Sequence, residues 1–127
     1  MSSPTASRAS SLTLRPLKYS WDYVNGNRVP VRSSRQEKGV DVLCALTLVE
    51  LARSRAYDVV VLASRDTDLA PALDAAAATA GAKVEAAKWY DPAAGWTRGN
   101  IKTNRRLWTI SMTRRHFMGS LDPRSYA

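Results

Sequence analysis

The sequence predicts a small α/β domain, a mostly parallel sheet layered between helices. Three observations point there. Val59 to Ala63 is an unbroken apolar run rich in β-branched residues, which fits a strand covered on both faces of a parallel sheet. It stops at the polar turn Ser64-Arg65-Asp66-Thr67-Asp68 and gives way to an alanine-rich stretch with Pro71 in its first turn, a position that tolerates a missing N–H. Gly81 then precedes a second apolar stretch, 82–89. Strand, turn, helix and strand make a right-handed βαβ unit with parallel strands.

The bounds are ordinary. The chain has 127 residues, 45% hydrophobic and 24% charged, enough for one domain with a real core. No apolar run approaches the roughly 20 residues of a membrane span, and the Ser-rich N-terminus lacks the apolar segment of a secretory signal. Cys44 is the only cysteine, which excludes an internal disulfide and agrees with a reducing cytoplasmic setting. One cysteine and one histidine, His116, argue against a zinc site of the usual kind. His116 reads as a surface or core histidine.

The net charge of +8 is unevenly distributed. Residues 1–38 carry seven Lys/Arg against two acids, 39–91 five against eight, and 92–127 seven against Asp122 alone. Basic flanks around an acidic centre suit a polyanion held with the help of cations. The bland alternative is an Arg-rich composition without a partner.

Taken in order, residues 1–13 read as a disordered tail, 14–118 as the domain and 119–127 as a C-terminal tail. Leu17, Tyr19, Trp21 and Tyr23 alternate with polar residues, a half-buried strand by period. Asn25-Gly26 is a two-residue hairpin turn signal, and Arg28 to Arg32 can return as a partner, with Pro30 confining it to an edge. Val40 to Ala52 is apolar except at positions of helical spacing, which predicts a largely buried helix. Asp41 lies in its first turn, where the macrodipole favours a carboxylate, so helix electrostatics and a functional role both remain open. Asp68 is read as the N-cap of the next helix, Leu69–Ala80, and Gly81 as its left-handed stop.

Parallel strands bring Asp66, Asp68 and the Trp89-Tyr90-Asp91 end to one edge of the sheet. In open α/β sheets that carboxyl edge is where ligands bind, so Asp66 and Asp68 make a candidate metal-binding acidic site. Asp91 is either a further acid or an Asp-Pro turn residue. Beyond it, Arg98, Lys102, Arg105, Arg106, Arg114 and Arg115 are interleaved with Trp96, Trp108 and Phe117, a pattern that can grip a phosphate backbone and stack bases. Leu107 to Ile110 reads equally as another strand, with Trp108 then in the core.

At E-K-G-V-D-V (37–42), the apolar helix after it, and A-Y-D-V-V-V-L-A-S-R-D-T-D-L-A-P (56–71), the chain closely resembles the NYN family of PIN-like α/β domains. Gly39 and Asp41 match its K-G-x-D element; Ser64, Asp66, Asp68 and Pro71 match its S-x-D-[ST]-D-[FL]-x-P element. The resemblance implies a metal-dependent ribonuclease acting on RNA, single-stranded by expectation. Asp41, Asp66 and Asp68 become catalytic and metal-holding residues, with Mg²⁺ (or Mn²⁺) as cofactor. Three carboxylates favour one ion over two. Arg65, Lys88, Arg98, Lys102, Arg105 and Arg106 are the expected nucleic-acid contacts. Two departures stand out: Arg65 occupies a position where glycine is common, and no strand ending in the family's first aspartate precedes Leu17. The expectation is a partial domain whose Val59–Ala63 strand lacks a neighbour, so that a homodimer or partner chain covers that edge or catalysis is weakened.

Overall fold

The computed structural model describes residues 10–125; most of the tail expected at 1–13 lies outside them. The chain divides into two compact units, residues 1–40 and 41–127.

The first unit carries a two-stranded antiparallel hairpin, β1 (Trp21–Val24) and β2 (Asn27–Pro30). Asn25 and Gly26 both have positive φ, 51° and 78°, as a two-residue turn that follows strand twist requires. The Arg28 guanidinium lies 4.3 Å from the centre of the Trp21 ring, a cross-strand cation–π contact. The expected strand from Leu17 begins only at Trp21. Lys18 instead exchanges two backbone hydrogen bonds with Gln36, of 2.9 and 2.8 Å. All four residues of β1 are exposed, which corrects the half-buried reading: two strands bury neither face unless another layer covers them.

The second unit holds α1 (Val40–Arg53, which starts at the unit boundary), β3 (Val59–Ala63), α2 (Ala70–Ala77), β4 (Lys83–Trp89), β5 (Thr109–Met112) and α3 (Arg114–Gly119). The sheet order is β3-β4-β5, parallel throughout. Val60 and Leu62 pair with Val84 and Ala86, and this face forms the core with Leu48 and Ala52 of α1 and Leu69, Leu73 and Ala76 at α2. The opposite face is met by α3, whose Phe117 packs edge-on against Trp89 at 6.1 Å between ring centres.

Coverage is less complete than the apolar runs imply. In β3, Val60 and Leu62 are buried while Val59 and Val61 remain 46% and 45% exposed. Both α1 and α2 pack into the cluster on one side, so the two-sided burial expected of this strand is not found. Among the described strands β3 pairs only with β4. In α1 only Leu48 and Ala52 are buried, and Val42 and Leu46 are each 62% exposed. The largely buried helix is thus a helix with one buried stripe, because a single neighbouring layer covers roughly one face of a helix.

Two end signals also act differently from expectation. α2 stops at Ala77, where the Thr79 hydroxyl and N–H both bond the Ala76 carbonyl. Gly81 has no positive φ; a Cβ there would lie 1.9 Å from the Ala52 carbonyl oxygen. Glycine is required by the close approach of α1 to the entrance of β4. The residue that does take a left-handed conformation after a helix is Arg55, φ 58°, just past α1.

Candidate functional site

The carboxyl edge of the sheet is built from the ends of β3 and β4. Register Ala63↔Ala87 sets Ser64 and Lys88 side by side one residue further on. A cleft of about 110 Å³ opens there, lined by Ser64, Arg65, Thr67, Lys88, Asn100 and Thr109 among others.

The β3–α2 turn is held by its own side chains. The Ser64 hydroxyl accepts from the Asp66 N–H at 3.1 Å, and Asp66 Oδ1 accepts from the Asp68 N–H at 2.9 Å. Asp66, not Asp68, is therefore the N-cap, and the element it caps is a 3-10 turn, Thr67–Leu69, leading into α2. A short carboxylate at that position satisfies an N–H the helix leaves free. Asp66 is half-buried and Asp68 exposed. Asp41 is exposed in the first turn of α1.

The donors of the turn are hard oxygens, two carboxylates and a hydroxyl. Such a set suits Mg²⁺ or Mn²⁺, which are commonly held by one or two carboxylates with water completing the shell. Among the described residues no three of His, Cys, Asp or Glu form a group able to hold an ion.

Lys88 governs the other wall. It is 6% exposed, and its ammonium donates to the carbonyls of Thr97, Arg98 and Gly99 at 2.9, 2.7 and 3.0 Å. All three of its N–H donors go to backbone, so any part it plays toward RNA runs through the loop it holds. Burial first, and the Arg65 charge second, hold its pKa below the ordinary lysine value. Thr97, also buried, closes the same loop: its hydroxyl accepts from the Asp91 N–H at 3.0 Å and lies 2.9 and 2.7 Å from the Asp91 and Ala94 carbonyls. The Asp91 carboxylate accepts from the Ala93 N–H at 2.9 Å, the part of an Asp-Pro turn residue.

Arg65 is exposed; it donates to the Trp96 carbonyl and lies 5.3 Å from the centre of the Trp96 ring. Arg98, Lys102, Arg105 and Arg106 are all exposed, and Arg105 also reaches the Ala77 carbonyl at 3.3 Å. Trp108 is 68% exposed, which overturns its core assignment. Leu107 packs against the core instead, and strand alternation turns the next side chain outward.

The sequence of residues 9–93, about two thirds of the chain, matches the NYN domain family. The chain belongs to that family. The match includes Asp41, Asp66, Asp68 and Lys88 and ends before Trp96 and the basic segment that follows. No curated protein and no solved structure matches the chain. As an NYN domain it has a nuclease-like, RNA-related function, in a family whose members are typically dependent on divalent metal. Among the described residues no helix is long and apolar enough to cross a membrane.

What sequence reasoning missed is the loop lock. Lys88 and Thr97 are nine residues apart; Lys88 was expected as a nucleic-acid contact, and nothing in the pattern marked it as the anchor of a loop. The only local signal was a lysine within residues 86–89, the end of β4 whose other residues are all apolar, where an unpaired charge would be costly.

Proposed function

We propose that this NYN domain is a metal-dependent endoribonuclease that cuts single-stranded RNA in the cytoplasm, with Asp66 and Asp68 as the principal metal-holding carboxylates and Asp41 as the third. The observation that carries the reading is the pair Asp66 and Asp68 on the turn that ends β3, beside the cleft at the carboxyl edge of a parallel sheet, where this architecture binds ligands. A bound Mg²⁺ or Mn²⁺ would lower the pKa of a water and offset negative charge developing on the phosphate. The chain itself supplies the rest. Asp66, fixed by the Ser64 hydroxyl and the Asp68 N–H, presents its second oxygen without reorganisation. Arg65, Arg98, Lys102, Arg105 and Arg106 offer charge for the RNA backbone.

Cleavage of an end-labelled single-stranded RNA tests this. Cutting should be lost in EDTA, restored by Mg²⁺ or Mn²⁺, and lost in Asp66→Asn. Asp41→Asn should fall as far; unchanged cleavage in that variant removes Asp41 from the site.

A second reading, RNA binding without cleavage, is favoured by the structural duty of Asp66, whose capping role would keep it in place in an inactive domain. RNA retained at low salt but never cut would select it. A homodimer or partner chain pairing along β3 belongs to the proposal as well, motivated by the half-exposed Val59 and Val61 on a strand that, among the described strands, pairs on one side only. Val61→Lys would then lower the apparent mass in sedimentation, and an unchanged monomer mass for both proteins would refute it.

A further inference from the structure

We infer that Trp96 is a base-stacking residue for single-stranded RNA, held ready by Arg65 and Lys88, both of which line the cleft; this rests on the RNA-directed reading above. The indole is 76% exposed, the most exposed of the four tryptophans. Its surroundings are not those of a loose surface loop. Trp96 sits within a 3-10 turn, Gly95–Thr97, and the residue after it is buried with its hydroxyl committed to the Asp91 and Ala94 backbone. The three carbonyls that follow, of Thr97, Arg98 and Gly99, converge on the Lys88 ammonium. Arg65 adds a hydrogen bond to the Trp96 carbonyl itself. The loop is thus fixed from the ends of both β3 and β4 while its largest side chain is left in water.

The ring has two unlike faces. The Arg65 guanidinium lies 5.3 Å from its centre, close enough for a cation–π contact on that side. The other side can receive a flat aromatic group. Arg65 also stands between Ser64 and Asp66 in the chain, so it links the stacking surface to the acidic turn. From residue 92 to residue 121 there are six Lys/Arg and no Asp or Glu, so an anionic ligand that carries flat bases suits the surface. Prior immobilisation of the loop means that the base is captured without ordering the protein at that moment. Trp96 lies beyond the segment that matches the NYN family, whereas Arg65 and Lys88, which hold its loop, lie within it.

The test is fluorescence anisotropy with a labelled single-stranded RNA 12-mer in EDTA, where binding is read without turnover. A parallel set of RNAs carries one abasic residue at successive positions. Trp96→Ala should weaken binding of the intact RNA by about 5- to 150-fold, the span of roughly 1–3 kcal/mol per stacked base. Trp96→Phe should restore most of it. One abasic position should weaken the wild type and leave Trp96→Ala unaffected. The slope of log affinity against log salt should be unchanged in Trp96→Ala, because stacking releases no counterions, whereas Arg98→Ala should lower it by about 0.7. Wild-type binding with an affinity that Trp96→Ala leaves within about twofold overturns the stacking role and spares the RNA reading. An abasic penalty that persists in Trp96→Ala does the same. Absence of any wild-type binding at low salt overturns both.

Discussion

Replacing Gly81 with alanine should destabilise the fold sharply, although the backbone there is open to any residue. A methyl group at that position would sit 1.9 Å from the Ala52 carbonyl oxygen and 3.1 Å from its carbon. The obstacle is backbone at the end of α1, not a side chain that can swing away. The same oxygen accepts the Ala82 N–H at 2.9 Å, and Ala52 and Ala82 are 0% and 7% exposed. Relief of the clash must therefore pull α1 off the sheet or break that bond. Overpacking costs about 1–3 kcal/mol, and a buried N–H left without a partner about 1–3 kcal/mol. The smaller conformational freedom of alanine in the unfolded chain returns about 0.4–1 kcal/mol. The net loss is on the order of 2–4 kcal/mol. At roughly 4 °C per kcal/mol for a domain of this size, Tm should fall by about 8–16 °C in a thermal melt followed by circular dichroism. Gly95→Ala is the control: its added methyl meets nothing within 4 Å, so Tm should rise by about 2–4 °C. A Gly81→Ala melting point within about 2 °C of the wild type would refute the close-approach account.

Other outcomes follow from the same contacts. Asp66→Ala should cost about 1 kcal/mol in urea unfolding through the lost cap, whereas Asp66→Asn, which can still accept the Asp68 N–H, should not; equal losses would show that capping is not the structural role of Asp66. Lys88→Met strips three carbonyls of their donor and should cost on the order of 2–4 kcal/mol. It should also free the loop, seen as faster tryptic cleavage after Arg98; an unaltered cleavage rate would mean the loop is held elsewhere. Because the pKa of Lys88 is lowered from 10.5 in the folded protein, the unfolded chain binds more protons between that lowered value and 10.5. Stability should therefore rise with pH through that window more steeply in the wild type than in Lys88→Met; parallel pH profiles would count against it. Arg55→Gly should stabilise the protein by up to about 1 kcal/mol, since glycine accepts the left-handed conformation at the end of α1 at lower cost; a drop in Tm would show that the Arg55 side chain contributes more than its backbone costs.

The hairpin, the βαβ unit and the gathering of Asp66, Asp68 and Asp91 at one sheet edge were legible in the sequence, because each rests on local rules. Asn25-Gly26 needs no information beyond its own two residues, and a strand–helix–strand crossover fixes the direction of both strands wherever the unit sits. The places where reading failed all concern what lies alongside. Val59, Val61, Val42 and Leu46 have the composition of core residues, but composition does not say how many layers cover them. Trp108 and Leu107 are adjacent apolar residues, and only the register of β5 against β4 says which of them faces the core. Gly81 was recognised as necessary for the wrong reason. Asp66 and Asp68 were both visible as candidate carboxylates of one turn, but which of them caps it depends on where the chain bends after Ser64.

The sequence by itself determined the hairpin turn, the βαβ unit with the helix before it, the family, and the acidic turn with its neighbouring cations, since periodicity, turn chemistry and motif spacing act over a few residues. The tertiary structure alone decided that Lys88 commits its charge to three carbonyls and that Trp96 is thereby held in water beside Arg65. Those outcomes depend on distances between segments far apart in the chain, which are set by how the layers pack rather than by any residue's own preference.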